Sequence, residues 1–170
     1  GMLQSDDTLL AIAFGGETKL KAKLAQVLYT LRDTKKATNW LPKLKERDLL
    51  ELSADGLKGI TYNIFDFGIL VQNRDLVIDT ILTQEGTWIK AHSYSVDHPN
   101  KPTISKYVRA SMKFTDVYLK YLSPDETQVV IFSHTDPKGA IPTFLVNFLR
   151  KDFPYDSLMA LNKASLAQDV

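Results

Sequence analysis

The sequence predicts an α+β protein in which a curved antiparallel sheet is covered by one long C-terminal helix. Three observations support this fold class. Apolar residues follow helical spacing near the N-terminus, recur with the period of β-strands through the middle of the chain, and return to helical spacing at the C-terminus. The chain of 170 residues has the size of a single domain.

One strand and two helical segments precede the sheet. Residues Leu9–Phe14 form a short apolar run that predicts a strand, and Gly15–Gly16 predict a turn after it. Between Lys19 and Asp33 the apolar residues share one helical face, which predicts an amphipathic helix. A second, shorter helical piece is expected up to Trp40, because the proline two residues later cannot continue it.

The middle of the chain predicts a run of antiparallel strands. These segments are rich in Val, Ile, Thr, Tyr and Phe, and turn residues such as Gly56, Gly86 and Pro124 separate them. The predicted strands are Leu49–Leu52, Ile60–Phe67, Leu76–Gln84, Thr87–Ser95, Ser105–Phe114 and Gln128–His134, with Tyr118–Tyr121 as a further candidate. A sheet of this size needs another element to cover its inner face.

The covering element is a C-terminal helix predicted over Gly139–Gln168. Its apolar residues form two stripes, and Pro154 lies between them. Because proline lacks an amide hydrogen and clashes with the preceding turn, we expect a kink or a break near Lys151–Tyr155. A twisted sheet that curls around one helix leaves volume between them, and such a space is a common place for a small-molecule site.

Composition excludes several classes of function. The 21 basic and 20 acidic residues nearly balance, which argues against nucleic acid as a partner. The chain has no cysteine, so disulfides, thiol chemistry and thiolate metal sites are excluded. His92, His98 and His134 lack the spacing of metal ligands, and the chain has no phosphate-binding glycine motif. We therefore expect no metal and no cofactor.

Basic residues are densest in the first third of the chain. They are Lys19, Lys21, Lys23, Lys35, Lys36, Lys43, Lys45 and Arg47. Such a cluster is typical of a solvated face, and the alternative is a transient contact with a membrane surface. No apolar run approaches the roughly 18 residues of a membrane span.

The domain is expected to span residues 8–168. Residues 1–7 are polar, and Gly1 before Met2 is typical of a remnant of the expression vector, so we expect this segment to lie outside the fold without regular structure. A chain without cysteine folds in either redox environment, which leaves the compartment open with the cytoplasm slightly favoured.

Four segments carry a resemblance to a known family. They are Asn73–Val77, Ser95–Pro99, Tyr107–Ala110 and Asp136–Pro142, with single matches at Trp40 and Asn147. In this order they resemble the START (steroidogenic acute regulatory protein-related lipid transfer) domains. The matching features are an Arg–Asp pair opening a central strand, a His–Pro turn, a Val–Arg strand start and a glycine–proline entry to the last helix.

The resemblance implies the helix-grip fold, with a shorter helix pair after the first strand. It also implies a tunnel between sheet and helix that binds one lipid-sized molecule, and it does not imply catalysis. The family usually begins with a further helix and two strands that this sequence lacks, so an edge of its sheet is expected to be exposed or paired with another copy. Sterol-binding members carry an acidic and a basic residue where this chain has Thr61 and Thr80, so a sterol is not implied.

If Thr61 and Thr80 face the tunnel, as the resemblance implies, strand alternation and the helical stripe extend the predicted lining to their neighbours. The predicted ligand-binding residues are Thr61, Asn63, Phe65, Leu76, Ile78, Thr80, Leu82, Trp88, Arg109, Leu145 and Phe148. A wall that is apolar with scattered hydroxyl and amide groups suits an acyl chain with a polar end, and the donors of Arg109 suit a phosphate or carboxylate. The alternative is that these side chains fill the core.

Two further expectations concern structure around the site. Arg74 and Asp75 flank a strand start, which favours a turn-capping or ion-pair role over ligand contact. A gate is expected where the last helix is weakened at Pro154 and in the loop Val96–Ser105.

Three functions compete at this point. The first is binding, with or without transfer, of a lipid or similar hydrophobic molecule by a protein that is not an enzyme. The second is a polyketide cyclase or dehydratase, which needs an inward acid–base group, and the nearest candidates are Asp66, Asp79 and His92. Alternation, however, directs Asp79 outward. The third is a ligand-free interaction domain whose own side chains fill the pocket.

Overall fold

A curved antiparallel sheet and a C-terminal helix form the two layers of the fold. The structure, a computed structural model, describes residues 2–4, as backbone only, and residues 12–170. The strands are β1 (Met2–Gln4), β2 (Ile12–Leu20), β3 (Leu44–Leu52), β4 (Lys58–Phe65), β5 (Arg74–Glu85), β6 (Trp88–Ser95), β7 (Val108–Arg109), β8 (Ser111–Ser123), β9 (Glu126–Asp136) and β10 (Ala140–Pro142). The helices are α1 (Leu24–Arg32), a 3₁₀ helix (Thr34–Asn39) and α2 (Thr143–Leu166).

The main sheet runs in the order β2-β9-β8-β6-β5-β4-β3, and all of these neighbours are antiparallel. The short β7 pairs in parallel with the start of β5. The sheet does not close, so β2 and β3 are its edges within the described residues. This topology confirms the predicted α+β class, with a long C-terminal helix and a helix pair after the first long strand.

Two separate apolar clusters anchor α2 to the sheet. Near its N-terminus, residues such as Leu145 and Leu149 pack with Ile12 and Val71. Near its C-terminus, Leu161 packs with residues of α1, β2, β8 and β9. Burial of each large aliphatic side chain contributes roughly 1.5–3 kcal/mol, so both ends of the helix are held firmly. The helical segment between the clusters spans the sheet.

Gly15 and Gly16 do not form the predicted turn. They lie inside β2, which continues to Leu20 and pairs with β9 along its whole length. A Cβ atom at Gly15 would lie 3.0 Å from the ring of Phe132, so glycine here permits close packing within the sheet. The predicted helix therefore starts later than expected, at Leu24.

Two further sequence predictions need correction. The helix α2 continues through Pro154, so the break predicted there is wrong, while the kink given as its alternative stays a prediction. The Oγ of Ser157, one turn later, donates a hydrogen bond of 2.6 Å to the carbonyl of Phe153. The single strand predicted over Ser105–Phe114 is divided, because β7 pairs with β5 while β8 pairs with β6 and β9.

Part of the N-terminal segment, residues 1–7, which was expected to lack regular structure, forms a strand. Met2–Gln4 form β1, which pairs antiparallel with β10 directly before α2. The first residues of the predicted strand Leu9–Phe14, and the rest of residues 1–7, lie outside the described residues.

Arg74 fixes the turn that leads into α2. Its guanidinium is buried and donates hydrogen bonds to four backbone carbonyls, those of Gln72 (2.7 Å), Pro137 (3.0 Å), Lys138 (2.5 Å) and Ala140 (3.1 Å). Lys138 and Gly139 both adopt positive φ, 55° and 64°, a conformation that costs energy for lysine. Burial lowers the pKa of Arg74, yet the group stays cationic at neutral pH. Arg74 therefore has the predicted turn-capping role.

We expect Arg74→Met to lower the free energy of unfolding by about 3 kcal/mol, because four buried carbonyls lose charged donors. Urea denaturation monitored by circular dichroism measures this change. Arg150→Met is the matched control, since Arg150 is exposed on α2. Equal losses in the two variants would contradict this role for Arg74.

Candidate functional site

A pocket of about 470 Å³ lies between the concave face of the sheet and α2. Its volume falls in the range of roughly 300–1,000 Å³ typical of small-molecule sites. The contribution of α2 is a single face of the helix that runs from one anchoring cluster to the other. This face consists of Leu149, Phe153, Pro154, Ser157, Leu158 and Leu161.

Small side chains on the sheet create this space. The floor of the pocket includes the short side chains of Ala91, Ser93, Ala110, Thr115 and Ser133, beside longer ones from the same sheet. These short side chains leave space between the sheet and the helix. The hydroxyls of the floor satisfy one another across strands, since Thr115 and Ser133 are hydrogen-bonded at 2.8 Å and Ser93 bonds Thr80 at 2.8 Å. The floor is therefore apolar in character.

Three phenylalanines line one part of the pocket. The rings of Phe65 and Phe67 stack with their centroids 6.1 Å apart, and Phe153 of α2 meets both edge-on at 6.4 Å. Such aromatic contacts contribute beyond their buried area. This cluster links the end of β4 to the middle of α2 across the pocket.

The opposite rim is exposed and apolar. Leu49, Leu52 and Leu57 line the pocket and are 45%, 61% and 45% accessible to solvent. Across from this hairpin, Arg32 at the end of α1 donates a hydrogen bond of 3.1 Å to the carbonyl of Gly56. We define the mouth of the pocket as these five residues.

Arginines supply all the charge of the pocket. Arg32, Arg47 and Arg74 line it, and the described lining residues include no aspartate, glutamate, histidine or lysine. Arg32 and Arg74 bond backbone carbonyls, as described above. The site therefore carries positive charge without an acidic side chain.

Six of the predicted ligand-binding residues line this pocket. They are Thr61, Phe65, Leu76, Ile78, Thr80 and Leu82. Asn63 shares their strand face but does not line the pocket. It is fully buried behind Arg47, whose Nε donates to Asn63 Oδ1 at 2.5 Å.

Trp88 was predicted to line the pocket, and this was wrong. Ala91 and Ser93 of the same strand face the pocket, so alternation directs Trp88 to the outer, convex face. There its ring meets Tyr118 edge-on at 6.3 Å, and the Lys120 ammonium lies 5.4 Å from its centroid.

Arg109 also lies on the outer face. It forms an ion pair with the fully buried Asp75, at 2.8 Å from Nε to Oδ1, and its Nη2 donates to the carbonyl of Lys101 at 3.0 Å. The Tyr62 hydroxyl donates to the same carboxylate at 2.6 Å. The bonds to Asp75 raise the pKa of Arg109, and burial followed by these bonds raises that of Tyr62. Arg109 therefore binds a carboxylate of the protein and not the pocket.

Leu145 and Phe148 lie one turn too early on α2 to line the pocket. Leu145 is buried in the N-terminal anchoring cluster. Phe148 packs against that cluster and meets Phe153 edge-on at 6.1 Å. The lining face begins at Leu149, because the turns before it are occupied in anchoring the helix.

The loop Val96–Ser105 does not lie beside the pocket where a gate would be. Val96 and Tyr107, at its ends, pack on the outer face against Tyr62 and Val77. The ammonium of Lys101 also lies over the Tyr62 ring, 4.5 Å from its centroid. This loop covers the convex side of the sheet.

The acid–base candidates lie away from the pocket. Asp79 and His92 are on the outer face, where Tyr94 donates to Asp79 at 3.4 Å and His92 bonds Asp116. Asp66 is exposed and accepts a hydrogen bond from the amide of Gly68 at 2.9 Å. No cluster of three potential metal ligands occurs among the described residues.

The family of the chain follows from a model of the START domain, which matches residues 6–153. This match covers most of the chain. The chain belongs to the START domain family. The uncharacterized protein PA1579 from Pseudomonas aeruginosa is 28% identical to this chain over 155 residues. The match covers 90% of this chain and 75% of that protein.

Solved structures agree with this assignment. A fragment of the STAR-related lipid transfer protein from Xanthomonas axonopodis is 26% identical, with a TM-score of 0.75 over 89% of this chain and 84% of that one. Human STARD10 is 22% identical, with a TM-score of 0.78 over 89% of this chain, which spans only 62% of that structure. The Zhui aromatase/cyclase from Streptomyces is more distant and shares the fold with 11% sequence identity and a TM-score of 0.59. This match covers 92% of this chain and 94% of that one. The predicted resemblance and helix-grip fold are confirmed.

Arg109→Met tests whether Arg109 is structural. We expect the free energy of unfolding to fall by about 3 kcal/mol, because the buried Asp75 carboxylate loses its cation. Urea denaturation measures the fall, and Asp75→Asn combined with Arg109→Met should recover part of it. If the single variant is as stable as the parent protein, the ion pair does not hold the outer face.

Proposed function

We propose that this START domain is a non-catalytic protein that binds a lipid or similar hydrophobic ligand between the sheet and α2 and carries it between membranes. The observation that carries the proposal is the apolar pocket of about 470 Å³ in a START fold. Each buried methylene contributes about 0.8 kcal/mol, so a long alkyl chain supplies much of the binding free energy. The volume also counts against a domain whose own side chains fill this space.

The cyclase alternative has less support. Acid–base catalysis needs a titratable group within hydrogen-bond reach of the substrate. The pocket-lining residues that the structure describes include no carboxylate, imidazole or phenol, and Asp79 and His92 lie on the other side of the sheet. The likeness to the Streptomyces cyclase rests on fold alone.

Transfer requires contact with a membrane, and one loop has the chemistry for it. Ile69 and Leu70, between β4 and β5, are 103% and 71% accessible. They are flanked by Phe67, which lines the pocket, and by Val71, which packs against α2. We propose that this loop inserts its two aliphatic side chains into the bilayer interface. None of the described helices is both long and apolar enough to span a membrane.

Filling the pocket tests the binding proposal. We expect lipid to co-purify with the parent protein and to be absent from Ala91→Phe, because the new ring occupies the floor beneath α2. Native mass spectrometry of detergent-free protein measures the bound mass. Lys90→Phe is the matched control, since Lys90 is the adjacent residue of β6 and projects to the outer face. Lipid retained in Ala91→Phe would argue against this pocket as the site.

Removing the exposed side chains tests the membrane contact. For Ile69→Ser combined with Leu70→Ser we expect at least about a tenfold loss of binding to phospholipid vesicles, because two aliphatic side chains no longer leave water. Vesicle co-sedimentation measures the partition. The control is Leu166→Ser, which changes a leucine that is 51% exposed at the end of α2. A similar loss of vesicle binding in the double variant and in the control would contradict a specific role for this loop, since any exposed aliphatic side chain would then contribute.

A further inference from the structure

We propose that the pocket selects ligands that end in a carboxylate or a phosphate, and that Arg47 binds this anionic group. This inference rests on the proposed function, because it names the class of ligand for the same pocket. Arg47 was grouped with solvated lysines in the sequence, and the structure places it in the wall of the pocket instead.

A register shift in β3 before Arg47, and its pairing opposite Asn63, direct Arg47 inward. The pairing of β3 with β4 shifts register between Leu44 and Glu46 and again between Leu49 and Glu51. Such bulges re-aim side chains at sheet edges. Between them, Arg47 and Leu49 both line the pocket, and the neighbouring Lys45 is exposed.

The guanidinium of Arg47 lacks a counter-ion. Its Nε donates to Asn63 Oδ1 at 2.5 Å, and its two terminal nitrogens have no hydrogen-bond partner in the described part of the chain. No carboxylate of residues 12–170 forms a salt bridge with it. Burial lowers its pKa to about 10, so it remains a cation at neutral pH. A desolvated cation without an anion is unfavourable, and a ligand anion relieves this.

Asn63 holds the guanidinium in a productive orientation. The Asn63 amide nitrogen donates to Thr61 Oγ1 at 3.0 Å and to the carbonyl of Leu76 at 3.5 Å, which turns Oδ1 towards Arg47. With Nε occupied, the two terminal nitrogens are left as a pair of donors. A fork of this kind suits a bidentate carboxylate or phosphate.

The other two lining arginines are less suited to this role. Arg74 bonds four carbonyls, and Arg32 is exposed to water and bonds the carbonyl of Gly56. Four floor hydroxyls pair with one another, while the buried Trp40 Nε1 is a neutral lining donor without a partner among the described residues. Arg47 is thus the partly buried lining cation whose terminal donors remain available among the described residues. The alkyl part of the ligand then lies against the floor and the face of α2.

The experiment compares three probes of the same chain length: palmitate, hexadecanol and palmitoyl lysophosphatidic acid. We expect the protein to bind the anionic probes more tightly than the alcohol. In Arg47→Met, affinity for the anions should fall by roughly 10- to 100-fold relative to that for hexadecanol, so that the preference for anions disappears. Displacement of a fluorescent neutral lipid measures all three. The tighter of palmitate and lysophosphatidic acid identifies carboxylate or phosphate as the natural head group.

A second variant keeps the arginine. Asn63→Asp is nearly isosteric and places a carboxylate beside Arg47, so the internal ion pair should abolish the preference for anions while binding of hexadecanol persists. Lys45→Met is the control, because it removes an exposed charge two residues away, and it should leave the preference intact. A loss in this control would mean that long-range attraction sets the preference.

The outcomes separate the two proposals. If Arg47→Met binds palmitate and lysophosphatidic acid as tightly as the parent protein does, the role of Arg47 is wrong and lipid binding stands. If the parent protein shows no preference for anions over hexadecanol, the selection proposed here is also wrong. If none of the probes binds the parent protein, the proposed function itself fails.

Discussion

The separation between α2 and the middle of the sheet depends on how the helix is anchored. Leu145 and Leu149 hold one end and Leu161 holds the other, each in its own apolar cluster. The sheet side of the pocket includes alanine, serine and threonine among its larger residues, and these short side chains leave space unfilled. Larger residues on this floor would gain burial and close the pocket, since interiors normally pack without voids. The two clusters therefore provide the stability that the middle of the interface does not.

The alternation of β5 divides the molecule into two chemically different faces. Leu76, Ile78 and Thr80 face the pocket, while Asp75 and Asp79 face outward. On the outer side Arg109 and Tyr62 bond Asp75, whereas Tyr94 and Lys58 contact only Oδ2 of Asp79, and its buried Oδ1 has no partner among the described residues. The inner side holds cations bonded to neutral acceptors. This division explains why a fold that also serves a cyclase elsewhere has an acid-free pocket in this chain.

Sequence reasoning succeeded where a strand is regular and failed where register mattered. The inward face of β5 followed from alternation, once the family resemblance had placed Thr80 inside. The prediction for Trp88 failed because residues directly opposite each other in a hairpin share a face of the sheet. The partner of Trp88 is Glu85, which occupies an outward position of β5. Counting from the tight turn at Gly86 would have revealed this. The prediction for Leu145 failed because an apolar stripe does not show which turns of a helix pack in a core and which lie over a pocket. Arg47 could not have been found, since the two register shifts of β3 depend on its partner strand.

The pocket combines two features that one molecule can complement. Its apolar walls lack the contacts that a filled core provides. Its free arginine lacks an anion, although Asn63 fixes one side of the guanidinium. An alkyl chain with an anionic end would contact the apolar walls and pair with the arginine. A neutral lipid would supply only the apolar contacts, and a free inorganic anion only the charge. Because such a ligand binds the folded state alone, it also stabilises the protein in proportion to its affinity. Under the proposed function, contacts with the apolar walls and with Arg47 therefore set both the selectivity for ligands and the stability gained on binding.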